Sequence, residues 1–119
     1  MTDVPQELSR EKLVTILGNL LDNAFDAAQY GDKEAMVKLS MTDVGNNLVF
    51  EIEDSGEGVP VEQSEQIFER DYSTKQPDRG QGLYLVKKAL ADLKGEITLG
   101  ESELGGALFS VFIPKRGRE

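Results

Sequence analysis

The spacing of apolar residues predicts a long amphipathic helix near the beginning of the chain. Between Ser9, a suitable N-cap, and about Tyr30, apolar residues recur at helical spacing. Gly31 follows at a position where glycine commonly ends a helix. Residues 1–9 lack periodicity and are predicted to be a linker or lead-in, which leaves one domain over residues 10–119. The apolar stripe consists of Leu13, Val14, Ile16, Leu17, Leu20, Leu21, Ala24, Phe25, Ala27 and Ala28.

Shorter apolar patterns predict two β-hairpins. In the first, apolar and polar residues alternate over residues 37–41 and again over 48–52, and Gly45-Asn46-Asn47 supplies the turn. In the second, strands over residues 96–101 and 107–113 flank a turn that contains two glycines.

Helical and loop segments separate these hairpins. A second helix is predicted over residues 81–93, with Gly95 ending it, and a short helix over 61–69. Residues 70–80 carry little apolar content and predict a mobile loop. Because the strands come in antiparallel pairs with helices between them, we expect an α+β fold with helices on one face of a mixed sheet.

Composition excludes several kinds of site. The 119 residues include neither cysteine nor histidine, which excludes disulfides, thiolate metal sites and His-based catalytic triads. With 13 Lys and Arg against 22 Asp and Glu, the net charge is −9, which argues against a nucleic-acid partner. No apolar run approaches the roughly 18 residues of a membrane span. An anionic ligand would therefore need a metal ion, a helix N-terminus or a few placed cations.

Two asparagines on the first helix are candidate metal ligands. Asn19 and Asn23 lie one turn apart, with Asn23 at the edge of the apolar stripe and Asn19 and Asp26 on the polar face. A carboxamide offers a neutral oxygen to a hard cation such as Mg²⁺ that already carries phosphate oxygens. The alternative is a solvated face with ordinary asparagines.

Two glycine patterns are candidate ligand loops. Asp54, Gly56 and Gly58 end a strand, so the carboxylate could accept from an exocyclic amine while the glycines admit a planar ring. The alternative is a tight turn. Gly80 and Gly82 open the second helix, where backbone N–H groups can meet phosphate oxygens, or where they form only a hinge and cap.

The predicted mobile loop carries the positive groups that an anionic ligand would require. Lys75 and Arg79 lie in it, and Ser73 and Thr74 add hydroxyl groups. Such a loop can close over a ligand and reopen. The alternative is a solvated loop without function.

Taken in order, four stretches resemble the N box, first glycine box, F box and second glycine box of the histidine-kinase catalytic domain. This domain belongs to the gyrase, chaperone, histidine-kinase and MutL ATPase superfamily. The resemblance implies a two-layer α/β sandwich, the Bergerat ATP-binding fold, with a mobile ATP lid. Further detail resembles the bacterial citrate and C4-dicarboxylate sensor kinases. The stretches are NLLDNA at 19–24, DSGEGV at 54–59, IFER at 67–70 with YSTK at 72–75, and GQGLYLV at 80–86.

The resemblance also implies roles for single residues. Asn23 would coordinate the Mg²⁺ that bridges the triphosphate of ATP, and Asn19 would be a second metal or phosphate contact, so both are the implied catalytic residues. Asp54 would read the adenine amine, and Phe68 would anchor the lid. The nucleotide-binding residues implied are Asn19, Asn23, Asp26, Asp54, Gly56, Gly58, Val59, Phe68, Ser73, Thr74, Lys75, Arg79, Gly80, Gln81, Gly82 and Leu83.

The activity implied is transfer of the ATP γ-phosphoryl group to a histidine on a separate dimerisation domain, with a response regulator downstream. We expect a cytoplasmic, monomeric domain without membrane or nucleic-acid contact, cut from a membrane-anchored homodimeric parent. Asp26 departs from the pattern, because many histidine kinases have a lysine there. Asn19 replaces the glutamate of ATP-hydrolysing relatives. The alternatives are a non-catalytic nucleotide-binding interaction module, an ATP-hydrolysing relative and an anti-sigma type serine kinase.

Overall fold

The computed structural model describes residues 10–30, 34–59, 66–68 and 82–115. Within them, both long helices and all four predicted strands are present, so the predicted order of elements is confirmed. Ser9, Gly31 and residues 70–80 lie outside the described residues. The elements are α1 (Arg10–Ala28), β1 (Val37–Val44), β2 (Asn47–Asp54), a 3-10 turn (Gln66–Phe68), α2 (Gly82–Asp92), β3 (Glu96–Glu101) and β4 (Ala107–Pro114).

The four strands form one sheet in the order β1-β2-β4-β3. Every described pairing is antiparallel, so the expectation of a mixed sheet is wrong for the described part of the chain. The reason lies in the position of β4. Since β4 is antiparallel to both β2 and β3, these two strands run in the same direction, but β4 lies between them and prevents a parallel pair.

Both helices pack on the same face of this sheet. In β2 and β4, Ile52 and Phe109 are cross-strand partners that point to this face and are almost fully buried. They join α1 through Ile16 and Leu20 and α2 through Val86 in one hydrophobic core. Burying a side chain of this size stabilises the fold by about 1.5–3 kcal/mol. The predicted two-layer α+β architecture is confirmed.

The buried face of α1 is narrower than its apolar stripe. Ile16, Leu20, Ala24 and Ala28 are buried. Val14 and Phe25, however, are 64% and 56% exposed, although they belong to the stripe. Periodicity identifies the apolar side of a helix, but the width of the covering layers decides how much of it is buried. Of the described helices, none is both long and apolar enough to span a membrane.

The end of α2 differs from the predicted glycine cap. Lys94, with a φ of 59°, adopts the left-handed conformation, while Gly95 follows it and donates to the Leu90 carbonyl at 2.8 Å. This is a Schellman arrangement with lysine in place of the usual glycine. Gly95 is needed for space instead, because a Cβ there would lie 2.6 Å from the Phe112 carbonyl oxygen.

Candidate functional site

The site begins at the end of β2 with a buried carboxylate. Asp54 is 1% exposed, and its Oδ1 accepts hydrogen bonds from the backbone N–H groups of Gly56, at 2.9 Å, and Ala107, at 3.3 Å. The Asp54 carbonyl accepts a third, from the Gly106 N–H at 3.0 Å. Because a buried carboxyl group is costly unless it is hydrogen-bonded, the donors to Oδ1 offset part of the cost of burying the Asp54 side chain.

The glycines after Asp54 allow this loop to pack closely against two neighbouring segments. A Cβ on Gly56 would lie 2.5 Å from the Ala27 carbonyl oxygen, so this loop packs directly on the backbone of α1. Gly58 has a φ of 81°, a conformation that favours glycine, and it faces Gly106 of the β3–β4 turn. The loop therefore lies between α1 and the second hairpin.

Ser55 connects the same loop to the segment before β1. Its hydroxyl accepts from the Met36 N–H at 2.8 Å and donates to the Glu34 carbonyl at 3.1 Å, while its own N–H donates to the Met36 carbonyl at 3.0 Å. Ser55 is 3% exposed. The backbone on either side of this serine is thus held in place.

A second part of the site lies where α1 meets the beginning of α2. The Asn19 Nδ2 donates to the Thr15 carbonyl at 2.7 Å, which directs the Asn19 Oδ1 away from its own helix. That oxygen lies 3.1 Å from the position that a Cβ on Gly82 would occupy. A carboxamide acceptor therefore faces the N-terminus of α2, where backbone N–H groups have no partner within the helix.

The two parts are connected along one side of α1. Asn19, Asn23 and Ala27 are spaced by four residues, so they lie on the same side on successive turns, with about 6 Å of rise between neighbours. Ala27 contacts the Asp54 loop through Gly56, and Asn19 faces Gly82. Asn23, which is half-buried, lies between these two contacts.

The predicted polar side of α1 is therefore not simply solvated. Asn19, Asn23 and Asp26 are all half-buried. Among the described residues there is no cluster of three or more acidic side chains that could hold a metal ion.

Phe68 packs against the hydrophobic core, and its role as a lid anchor stays a prediction. Its ring contacts that of Phe109 edge-on, with centroids 6.3 Å apart. The Lys87 Nζ lies over the Phe68 ring, 4.9 Å from its centroid. Val59 and Leu83 pack against the hydrophobic core. The remaining predicted site residues lie outside the described part of the chain, and they are Ser73, Thr74, Lys75, Arg79, Gly80 and Gln81.

Sequence reasoning missed the contribution of the second hairpin. Gly106 and Ala107 donate their backbone N–H groups to Asp54, and Gly106 has no room for a side chain. From the sequence, Gly105 and Gly106 were interpreted only as turn residues. A glycine pair followed by alanine is the one signal that this turn approaches another segment closely.

The comparison with known families agrees with this geometry. Residues 9–117 match the family described as histidine kinase-, DNA gyrase B-, and HSP90-like ATPase, so the chain belongs to this family. The expected resemblance is confirmed, and the class of the chain is an ATP-binding domain of the histidine-kinase type.

Similar proteins narrow the class further. The sensor protein CitS of Halalkalibacterium halodurans is 51% identical over 112 residues, which cover 92% of this chain and 21% of that protein. CitS of Bacillus subtilis is 45% identical over 116 residues, covering 97% and 21%. A probable C4-dicarboxylate sensor kinase of H. halodurans is 36% identical over 117 residues, covering 96% and 22%. The chain is thus similar to sensor proteins named CitS and to a probable C4-dicarboxylate sensor kinase, and it spans about a fifth of these relatives.

Solved structures show the same fold. The nucleotide-free catalytic domain of histidine kinase ThkA superimposes with a TM-score of 0.80 at 28% identity, covering 91% of this chain and 69% of that chain. The ATP-binding domain of PrrB from Mycobacterium tuberculosis gives a TM-score of 0.70 at 27% identity, covering 92% and 69%. Full-length ShkA, crystallised with AMPPNP, gives 0.69 at 30% identity, covering 87% and 21%.

Proposed function

We propose that this domain binds ATP with Mg²⁺ and transfers the γ-phosphoryl group to a histidine on a separate domain. The observation that carries the proposal is the buried Asp54 carboxylate, held by two backbone N–H donors at one end of a line of residues on α1. The other end of this line is Asn19, which faces the N-terminus of α2.

The Asp54 end suits a purine base. One carboxylate oxygen is engaged by the Gly56 and Ala107 N–H groups, so the orientation of the carboxylate is set before any ligand arrives. A carboxylate accepts hydrogen bonds and does not donate them, which favours the exocyclic amine of adenine. Gly58 and Gly106 let two backbone segments come together beside it without intervening side chains.

The Asn19 end suits phosphate and metal. Mg²⁺ prefers oxygen ligands and commonly binds through one or two protein groups together with substrate phosphates. Asn23 and Asn19 would supply neutral oxygens, and the first N–H groups of α2 would face the phosphates. When bound, the cation would neutralise part of the triphosphate charge, which otherwise meets a protein of net charge −9.

The reaction that these groups favour is transfer rather than hydrolysis. Asn19 cannot take a proton from water near neutral pH, because a carboxamide is not a base there. The chain has no histidine, so the phosphoryl acceptor would come from a separate domain. In the transfer, the bond from the γ-phosphorus to the bridging oxygen breaks, a phosphorus–nitrogen bond forms, and ADP leaves.

The names of the relatives support a signalling context. They are sensor proteins and sensor histidine kinases, including CitS and CitA. We therefore propose that the acceptor histidine lies on a dimerisation domain of the parent kinase, and that a response regulator receives the group afterwards. Because ATP is supplied in the cytoplasm, we propose a cytoplasmic location for this domain, and citrate or a C4-dicarboxylate is the proposed class of stimulus for the parent.

The test is nucleotide binding by an Asp54→Asn variant. We expect the asparagine oxygen to keep the hydrogen bonds from the Gly56 and Ala107 N–H groups. The side-chain NH₂ group then replaces the other carboxylate oxygen, so a donor faces the donor amine of adenine. We expect calorimetry with ATP and Mg²⁺ to show a loss of about 1.5–3 kcal/mol, or about 10- to 150-fold in Kd.

Glu53→Gln is the matched control for this test. It removes the same charge one residue earlier, where the side chain points to the opposite face of the sheet and accepts from the Ser102 hydroxyl at 2.8 Å. We expect nearly unchanged affinity. Equal losses in both variants, or none in Asp54→Asn, would exclude the proposed base recognition.

A transfer assay separates the alternative functions. The domain is mixed with a separately purified histidine-bearing domain of a sensor kinase and with ATP labelled at the γ-phosphorus. Label on histidine supports the proposal. Label on serine favours a serine kinase, released phosphate favours a hydrolase, and binding without either product favours an interaction module.

A further inference from the structure

We propose that Gly106 is a positioning residue for purine recognition, acting through Asp54. The inference rests on the proposed role of Asp54 in binding the base. It assigns to the backbone of the β3–β4 turn the positioning of the Asp54 carboxylate.

The β3–β4 turn contacts Asp54 through backbone N–H groups. The Gly106 N–H donates to the Asp54 carbonyl at 3.0 Å, and the next N–H, that of Ala107, donates to the Asp54 Oδ1 at 3.3 Å. Consecutive residues of the turn thus hold both the main chain and the side chain of one aspartate. The Gly56 N–H is a further donor to the same Oδ1.

Gly106 is required for space and not for backbone conformation. Its φ lies outside the left-handed region, unlike that of Gly105, which is 110°. A Cβ on Gly106 would lie 2.0 Å from the Asp54 Oδ1, 2.6 Å from the Gly56 nitrogen and 2.7 Å from the Asp54 carbonyl oxygen. An alanine is therefore compatible with the backbone conformation of residue 106, but its Cβ collides with the Asp54 carboxylate and with two backbone atoms.

Relieving this collision must displace the carboxylate or the turn. Rotation of the Asp54 side chain would relieve one contact, but the other two are with backbone atoms. The turn would have to retreat, and the hydrogen bonds from Gly106 and Ala107 to Asp54 would lengthen. The expected result is a folded domain whose carboxylate no longer has one fixed orientation.

The experiment compares two nucleotides in the Gly106→Ala variant. ATP carries the 6-amino group, whereas purine riboside 5′-triphosphate lacks it. In the unmodified domain we expect ATP to bind about tenfold or more tightly than the analogue, because only ATP donates to Asp54. In Gly106→Ala we expect this ratio to fall towards one, mainly through weaker binding of ATP. A ratio equal to that of the unmodified domain would overturn the inference.

Two variants in the same hairpin serve as controls. Gly100→Ala places its Cβ in open space and should leave both affinities and the melting temperature nearly unchanged. Gly105→Ala strains the turn through its φ of 110° and should lower the melting temperature while keeping the preference for ATP. If Gly105→Ala loses that preference as fully as Gly106→Ala, general damage to the turn explains the loss and the inference is wrong.

A backbone substitution keeps the inference testable if Gly106→Ala does not fold. Incorporating lactic acid at position 107 replaces the Ala107 N–H by an ester oxygen and adds no atom near Asp54. We expect the preference for ATP to fall, since one of the two donors to the Asp54 Oδ1 is removed. An unchanged preference would count against the turn as the positioning element.

The outcomes distinguish this inference from the proposed function. If the unmodified domain does not prefer ATP over the analogue, and Asp54→Asn binds ATP normally, the proposed base recognition fails. If Asp54→Asn loses the preference but Gly106→Ala keeps it, only the role of Gly106 fails. Combining both substitutions should give less than the sum of the single losses, because Gly106 acts through Asp54.

Discussion

At the residue scale, one hydrogen bond sets the orientation of the Asn19 side chain. Its Nδ2 is bound to the Thr15 carbonyl, so the only remaining polar atom of the side chain, Oδ1, is an acceptor directed towards Gly82. Asparagine inside a helix is less favourable than alanine by about half a kcal/mol. A carboxamide in this orientation, opposite a helix N-terminus, is what a site for a cation and phosphates requires.

Asn23→Ala tests the metal role at this scale. We expect Kd for ATP to rise roughly tenfold or more in the presence of Mg²⁺, the scale seen when a supporting residue of a metal site is lost. In EDTA, the change should be small, because the lost oxygen then has no cation to bind. Titration calorimetry in both buffers measures the difference.

Asp22→Ala is the control, since Asp22 is the preceding residue on the same helix but is exposed. In this variant, Kd for ATP should change by the same factor in Mg²⁺ and in EDTA. If Asn23→Ala also weakens binding equally with and without Mg²⁺, Asn23 is not a metal ligand.

At the element scale, helix and strand boundaries follow from local sequence, but the chemistry of the helix ends does not. The β1–β2 turn contains Gly45, with a φ of 57°, as hairpin residues there predict. The end of α2 was expected to be set by Gly95, yet Lys94 carries the left-handed conformation. Gly95 is reserved for a close contact with β4, and this contact depends on a strand that is distant in sequence.

Lys94→Gly tests this account of the helix end. The substitution removes the strain of an L residue in the left-handed conformation, about 1–2 kcal/mol, less the larger entropy that glycine loses on folding, about 0.5–1 kcal/mol. We therefore expect a net gain of about 0.5–1 kcal/mol in the free energy of unfolding. Urea unfolding measures it.

Lys94→Ala is the matched control, because alanine also lacks the lysine side chain but keeps the strain. It should leave the free energy of unfolding nearly unchanged. If Lys94→Ala stabilises the domain as much as Lys94→Gly, loss of the lysine side chain is responsible and the helix-end account is incorrect.

At the scale of the whole molecule, the sheet order assembles the site. β4 lies between β2 and β3, and this places the turn before β4 beside the end of β2. Asp54 and Ala107 thereby become hydrogen-bonded neighbours although 53 residues separate them. The two helices cover one face of this sheet. On α1, Ala27 lies at the Gly56 end of the candidate site and Asn19 at the Gly82 end.

The same arrangement predicts unequal costs for two substitutions on α1. Leu20 is 0% exposed in the core, so Leu20→Ala should cost about 2.7–5 kcal/mol through lost burial and a cavity. Val14→Ala, at a site that is 64% exposed, should stay within about 0.5 kcal/mol of zero. Thermal or urea unfolding compares the two, and a Val14 cost close to that of Leu20 would show that the assigned buried face of α1 is wrong.

The sequence by itself determined the elements of this protein and the candidate residues of its site. Periodicity, turn residues and the N-box and glycine-box patterns are local, so Asn19, Asn23 and Asp54 could be proposed as site residues without a structure. Only the tertiary structure decided that all described strand pairs are antiparallel, that Val14 and Phe25 are exposed, and that Gly106 supports Asp54. These properties depend on contacts between segments far apart in the chain, and neither spacing nor composition encodes a distance across a packed layer.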